Sequence, residues 1–164
     1  MGLIIGKKGI PMFKVGYPTV SDKYNVTGGI LAGETPVKFG DLVKFSDEKG
    51  YFEAITGTVT LENLAGFVLA TNVKLATEWP ASEGSVKVLP GEAFNLVLPG
   101  SYLAIELDAT AVEENIKANA KVYAIPATGK CTTVAASNIA LPNVVFTGLS
   151  EKHGDALVAE IYVK

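Results

Sequence analysis

Residues 93–107, AFNLVLPGSYLAIEL, constrain the fold more than any other stretch of the sequence. Apolar residues recur at every second position on both sides of Pro99-Gly100, and this period is typical of β-strands with one buried face. The pattern predicts two strands that turn at the Pro-Gly pair and share one apolar surface. That surface would consist of Phe94, Leu96, Leu98, Leu103, Ile105 and Leu107. Six large apolar side chains on one surface require a second layer to cover them.

The chain from residue 37 onward predicts many more short strands. β-prone runs separated by turn residues lie at 42–45, 51–55, 58–61, 66–71, 143–146 and 156–163. At most one short helix is expected, near residues 109–118, where Val112 and Ile116 stand four positions apart. The predicted fold class is therefore all-β: a single compact sandwich or barrel of short antiparallel strands.

The first 36 residues follow a different pattern. Glycines and prolines interrupt apolar residues throughout, so that no helical or strand period is sustained. The segment is nevertheless too apolar for a disordered tail. We expect residues 1–36 to form an extended arm, lying along its own domain or a neighbour's, and residues 37–164 to form the β domain. A first strand followed by irregular loops is the alternative for the same segment.

Composition limits the classes of partner. Only 19% of the residues are charged and 48% are hydrophobic, which indicates either surface buried against partners or a β core rich in valine and alanine. The net charge is −3 and every basic residue is a lysine. Without arginine, the side chain best suited to bidentate phosphate and base contacts is missing, so no nucleic-acid partner is expected. No apolar run approaches the ~20 residues of a membrane-spanning helix, so no membrane partner is expected either.

Residues that could carry chemistry are few. The single histidine, His153, lies in a polar turn, and the single cysteine, Cys131, can form no disulfide within the chain. One histidine and one cysteine cannot build a zinc cluster, and no G-x-S-x-G nucleophile motif is present. The sequence therefore predicts no catalytic residues, no metal and no cofactor.

A series of motifs links the chain to a known family. The second half contains ENIKANAKVYA at 114–124, GKCTT at 129–133, FTG at 146–148 and LVAEI at 157–161. The first half adds FGDLV at 39–43 and NLAGFV at 63–68. Together these motifs resemble bacteriophage capsid cement proteins, also called head decoration proteins, over about residues 37–164. The chain departs from the family pattern at Asn119-Ala120, where a Gly-Asp or Gly-Ala pair is usual in the turn.

The resemblance implies a structural virion protein without catalytic activity. Such a protein binds the outer surface of an assembled phage head and stabilises contacts between major capsid protein subunits. The resemblance also implies a homo-oligomer, for which we favour a trimer over a dimer. The protein would be made in the host bacterial cytoplasm and would end on the capsid exterior.

Large apolar and aromatic side chains in the arm and in one loop are the expected contacts with the capsid or with neighbouring subunits, because such groups dominate interface energetics. They are Ile4, Ile5, Ile10, Met12, Phe13, Tyr17 and Trp79. The alternative function is a carbohydrate- or ligand-binding β module. In that case Trp79, Tyr51 and Tyr102 would offer stacking surfaces.

Overall fold

The computed structural model describes residues 13–20, 24–70 and 87–164. Within these ranges the chain forms twelve β-strands and two single-turn 3-10 helices. The strands are β1 (Asn25–Ala32), β2 (Val37–Lys38), β3 (Leu42–Phe45), β4 (Tyr51–Ala54), β5 (Leu64–Leu69), β6 (Lys87–Val88), β7 (Ala93–Leu98), β8 (Ser101–Glu106), β9 (Lys121–Ala124), β10 (Cys131–Thr132), β11 (Ile139–His153) and β12 (Ala156–Val163). The 3-10 helices are η1 (Leu61–Asn63) and η2 (Glu113–Asn115). The all-β fold class predicted from the sequence is confirmed.

Five strands close into a barrel in the order β1-β4-β3-β5-β7. All pairs are antiparallel except β1 with β4, which is parallel. The interior is filled by apolar side chains that alternate along these strands, together with residues of the short β2–β6 pair. They include Leu31, Val37, Phe39, Val43, Phe52, Val68, Val88, Phe94 and Leu96.

The other five strands form an antiparallel sheet in the order β10-β9-β11-β12-β8. Its two outer strands meet at one end, because Leu107, directly after β8, bridges to Cys131 of β10. The amide of Asp108 also donates to the carbonyl of Cys131 at 2.8 Å. Phe146 and Ile161 are among the fully buried side chains on the inner face of this sheet.

The barrel and the sheet share a second core. Leu42, Phe67 and Val97 point out of the barrel and belong to the same buried cluster as the inner face of the sheet. Their neighbours in sequence, such as Val43 and Val68, point into the barrel. β3, β5 and β7 are therefore buried on both faces, and consecutive apolar residues in these strands serve two cores.

The strands on either side of Pro99-Gly100 do not share one surface, so this part of the prediction was wrong. β7 belongs to the barrel and β8 to the sheet, and the turn carries the chain from one to the other. Phe94 and Leu96 lie inside the barrel, whereas Leu103, Ile105 and Leu107 lie in the second core. Leu98 is 37% exposed. Alternation identifies the residues on one face of a strand, but it does not say which sheet the strand joins.

Within the first 36 residues, the structure contains the strand that the alternative expected, and an arm does not extend to residue 36. Residues 25–32 were assigned to the arm, yet they form β1, which pairs with both β4 and β7 and completes the barrel. The sequence does not show a strand there because Gly28 and Gly29 interrupt the apolar pattern. Gly29 is needed, since a Cβ at this position would lie 2.3 Å from the ring of Phe52.

Two further predictions concerned a short helix near residues 109–118 and a strand at residues 58–61. The helix expected near 109–118 is only the single turn η2, and residues 58–61 form no strand. No helix among the described residues has the length and apolar character required to cross a membrane.

Candidate interaction surface

Residues 13–20, which we call the N-terminal strap, lie along the outer edge of β8. The amide of Gly16 donates to the carbonyl of Ala104 at 2.8 Å, and the amide of Ala104 donates to the carbonyl of Tyr17 at 3.2 Å. The amide of Thr19 donates to the carbonyl of Tyr102 at 3.2 Å. These bonds run antiparallel to β8 and cover backbone groups that an edge strand would otherwise leave open.

Gly16 fixes the strap to the barrel. Its carbonyl accepts a hydrogen bond of 2.7 Å from the amide of Ala70, which follows β5. Its φ is +78°, and a Cβ built on it would lie 2.2 Å from the Cβ of Phe39. Both the left-handed backbone and the close approach require glycine at this position.

Phe13 fixes the beginning of the strap. Its side chain is 5% exposed and packs with Ala104 and Val158. Its amide donates to Glu151 Oε1 at 2.5 Å, and the same oxygen lies 2.7 Å from His153 Nε2. Sequence reasoning had placed His153 in a polar turn and had found no role for Glu151, because no pattern in the sequence indicates a contact across 138 residues.

Only two of the seven expected contact residues lie within the described ranges. Phe13 is buried in the chain's own core, as described above, and so offers little exposed surface. Tyr17 is half-buried, with the ammonium group of Lys14 4.5 Å from the centre of its ring. Its hydroxyl is buried without a hydrogen-bond partner among the described residues. Ile4, Ile5, Ile10, Met12 and Trp79 lie outside the described residues.

Several large apolar side chains are exposed on the described surface. Tyr24, Val26 and Leu98 are exposed near one end of the β1–β7 pair, where Val26 is opposite Val97 and Asn25 is opposite Leu98, so that Val26 and Leu98 lie on opposite faces. Others are spread over the molecule: Phe45, Leu61, Leu89, Val112 and Leu149. The sequence alone did not identify any of these residues as contacts. In each case the strand or turn could have directed the side chain either to solvent or to the core.

A cleft of about 160 Å³ lies between the barrel and the sheet, and its lining includes the titratable residues Asp41, Glu106, Lys130 and Cys131. Lys130 Nζ lies 3.3 Å from Glu106 Oε1, and Asp41 Oδ2 accepts a 2.9 Å hydrogen bond from the amide of Lys38. Burial raises the pKa of the Asp41 carboxyl, and the Lys38 amide and the positive charges of Lys38 and Lys130 counteract this only in part.

Cys131 lies beside the same cleft but is not available for nucleophilic chemistry. The residue is buried, and burial, followed by the nearby charge of Asp41, raises the pKa of its thiol far above the ordinary value. A thiol that stays protonated is neither a good nucleophile nor a metal ligand. Among residues 13–20, 24–70 and 87–164, no three His, Cys, Asp or Glu side chains converge on a possible metal position.

Replacing Asp41 should alter the pH dependence of stability. The folded carboxyl has a raised pKa and so binds its proton more tightly than the unfolded one. Folding therefore gains stability as the pH falls through the raised pKa and loses it as the pH rises. We expect Asp41→Asn to raise the urea midpoint at pH 7, with no gain below the ordinary pKa of 3.8. The exposed Asp47→Asn is the control, and an equal loss of stability by Asp41→Asn at every pH would contradict this account.

The aromatic residues considered for ligand stacking do not form one platform. Tyr51 lies on β4 of the barrel and Tyr102 on β8 of the sheet. The ring of Tyr102 packs against that of Tyr162, with 4.6 Å between the ring centres. The structure thus brings Tyr102 together with a residue of its own sheet, and it gives the carbohydrate-binding alternative no added support.

The comparisons with known proteins agree with the fold. A family model described as structural cement protein (E217 gp24/Pam3 gp6) matches residues 12–163. A chain from a solved structure entitled "The capsid of Myoviridae Phage XM1" superposes with a TM-score of 0.64 at 15% identity, over 94% of this chain and 93% of that chain. No curated protein matches the sequence. The resemblance expected from the sequence is confirmed. The match begins at residue 12, whereas the sequence motifs indicated it from about residue 37. The chain belongs to the family of phage structural cement proteins.

Proposed function

We propose that this cement protein binds the outer surface of an assembled phage head and stabilises contacts between major capsid protein subunits, without catalysis. The observation that carries the proposal is the family match over residues 12–163. Family membership makes the protein a structural component of a phage capsid, and therefore of the virion. The exterior position and the contact with several subunits are the steps that the proposal adds.

The described surface suits a role in multivalent binding. Exposed apolar side chains such as Phe45, Leu61 and Leu149 are distributed over several parts of the molecule. Each small contact would be weak on its own. A capsid lattice makes many such contacts at once, and their contributions add. The cement protein can therefore be held strongly without any single large interface.

The N-terminal residues are proposed as a further contact. The strap fixes the chain at Phe13, which directly follows this segment in sequence and packs with Ala104 of β8 and Val158 of β12. We assign contacts with the capsid or with neighbouring copies to Ile4, Ile5, Ile10 and Met12. Tyr17 and Trp79 are included on the same grounds of size and aromatic character.

We further propose that the protein acts as a homo-oligomer, with a trimer favoured over a dimer, and that it joins the capsid after synthesis in the host bacterial cytoplasm. Light scattering after size-exclusion chromatography would give the number of copies in solution.

The decisive experiment adds purified protein to capsids that lack it. We expect saturable co-sedimentation and a higher capsid melting temperature, because a ligand that binds only the assembled lattice stabilises it by mass action. An unrelated acidic β protein of similar size serves as the control. Failure to sediment with capsids, combined with binding on a glycan array, would favour the carbohydrate-binding alternative.

A further inference from the structure

The strap packs in a small buried cluster of its own. Phe13 and Val15 lie with Ala104 of β8 and Val158 of β12 on the face of the sheet that points away from the second core. In the described ranges, this cluster shares no residue with the barrel core or with the second core. A segment whose buried contacts are few and separate from the main cores can open without unfolding the domain.

The strap also contains two unfavourable groups. The side-chain hydroxyls of Tyr17 and Thr19 are buried, and neither has a hydrogen-bond partner in the described parts of the chain. A buried polar group without a partner loses the free energy of its hydration and gains nothing in return. The strap is therefore bound to the domain less tightly than its backbone hydrogen bonds alone would make it.

Four backbone hydrogen bonds exist only while the strap lies on the domain. The amides of Gly16 and Thr19 donate to carbonyls of β8, and the amide of Ala104 donates to the carbonyl of Tyr17. The amide of Ala70 donates to the carbonyl of Gly16. The four amides belong to three separate parts of the chain, namely the strap, β8 and the residue after β5. A strap that opens as one unit would expose all four together.

The side chain that contacts the start of the strap comes from the β11–β12 pair. Glu151 of β11 is opposite Val158 of β12. Directly opposite residues of an antiparallel pair share a face, so Glu151 lies on the face where Val158 packs with Phe13. His153 follows two positions later and therefore lies on the same face.

Glu151 Oε1 accepts two hydrogen bonds on this face. The amide of Phe13 donates at 2.5 Å, and His153 Nε2 lies at 2.7 Å. Since an ionised carboxylate only accepts, Nε2 carries its hydrogen, and the imidazole orients the carboxylate toward the strap. The side chains of Glu151 and His153 are only 20% and 13% exposed, so water weakens these bonds less than it would on an open surface.

We propose that the strap opens and closes as one unit, and that Glu151, oriented by His153, is the positioning residue that keeps it closed. In the closed state the strap covers the edge of β8. In the open state the backbone groups of residues 102–104 that face the strap become available for pairing. The inference concerns the free protein and does not depend on the proposed function.

The test measures hydrogen exchange residue by residue in the full-length protein. In the wild type, the four amides that depend on the closed strap should share one opening free energy. That value should be lower than those of the amides of Val68 and Phe146, which form backbone hydrogen bonds in the barrel and in the sheet. This comparison needs no variant.

Two substitutions of Glu151 test its role. Glu151→Ala removes the acceptor of the Phe13 amide. Exchange at all four amides should become faster by a common factor of about tenfold to a hundredfold, the value of one hydrogen bond to a charged group. Glu151→Gln keeps a side-chain carbonyl oxygen for the same amide and should recover most of the protection.

Lys152→Ala is the matched control on the same strand. Its side chain points to the opposite face, where Lys152 Nζ lies 3.6 Å from Glu113 Oε2 and both side chains are exposed. An exposed ion pair contributes little to stability, so exchange at the four amides should change by less than about twofold.

Four outcomes would overturn the inference. If Glu151→Ala speeds exchange only at the Phe13 amide, the contact is local and does not hold the strap. Equal rates in Glu151→Ala and Glu151→Gln would exclude the hydrogen bond as the cause. If the variants do not fold, the wild type still decides: unrelated opening free energies at the four amides would exclude a single unit. Values equal to those of the core amides would show that the strap does not open separately.

Discussion

Deletion of residues 1–12 is expected to abolish co-sedimentation with capsids while leaving the domain folded. The cut lies before Phe13 because the strap belongs to the scaffold: Phe13 is in a buried cluster, and residues 16–19 cover the edge of β8. A deletion through residue 20 would also expose the edge of β8 and destabilise the domain. A loss of capsid binding could then not be distinguished from a loss of stability. Co-sedimentation measures the binding, and the melting temperature, expected to change little, measures the fold.

Substitutions within the segment separate apolar from charged contributions. Ile4→Ser combined with Ile5→Ser should reproduce most of the loss, because we assign the contacts to large apolar side chains. The matched control is Lys7→Ser combined with Lys8→Ser, which removes two charges from the same segment and should retain binding. Full binding by the deleted protein would refute a role for the first 12 residues in capsid attachment.

Several strands could be predicted from the sequence, but their partners could not. Residues 156–163 alternate clearly, and β12 has those bounds, with Ile161 in the second core. Alternation is a property of one strand and reports which residues share a face. The closure of the barrel and the assignment of β7 and β8 to different sheets depend on contacts between distant segments, which no local pattern contains.

The candidate surface stays a prediction, because five of its seven expected contact residues lie outside the described residues. Apolar character identified Phe13 as important, but an apolar residue can bury itself in its own domain as readily as in an interface. Asn119, where the chain departs from the family pattern, has a left-handed backbone with a φ of 65°, which asparagine tolerates.

Gly16→Ala is expected to release the strap from the barrel. The added Cβ would lie 2.2 Å from the Cβ of Phe39 and 2.6 Å from its carbonyl carbon, neither of which can rotate away. The left-handed backbone costs about 1–2 kcal/mol for a residue with a Cβ. Relief of the clash costs a further 1–3 kcal/mol, roughly, if the strap stays in place. Urea unfolding should therefore show a free energy of unfolding that is lower by about 2–5 kcal/mol if the strap stays in place. If the strap detaches, the decrease should be smaller.

Gly33→Ala is the control that separates these two costs. Gly33 has nearly the same φ, +80°, but the nearest atom to its added Cβ is Glu53 Cγ at 4.0 Å. It should therefore show the backbone cost alone. If the strap positions residues 1–12 for capsid binding, Gly16→Ala should weaken co-sedimentation and speed hydrogen exchange at residues 13–20, whereas Gly33→Ala should do neither. Equal effects of the two variants would mean that the contact with Phe39 does not hold the strap.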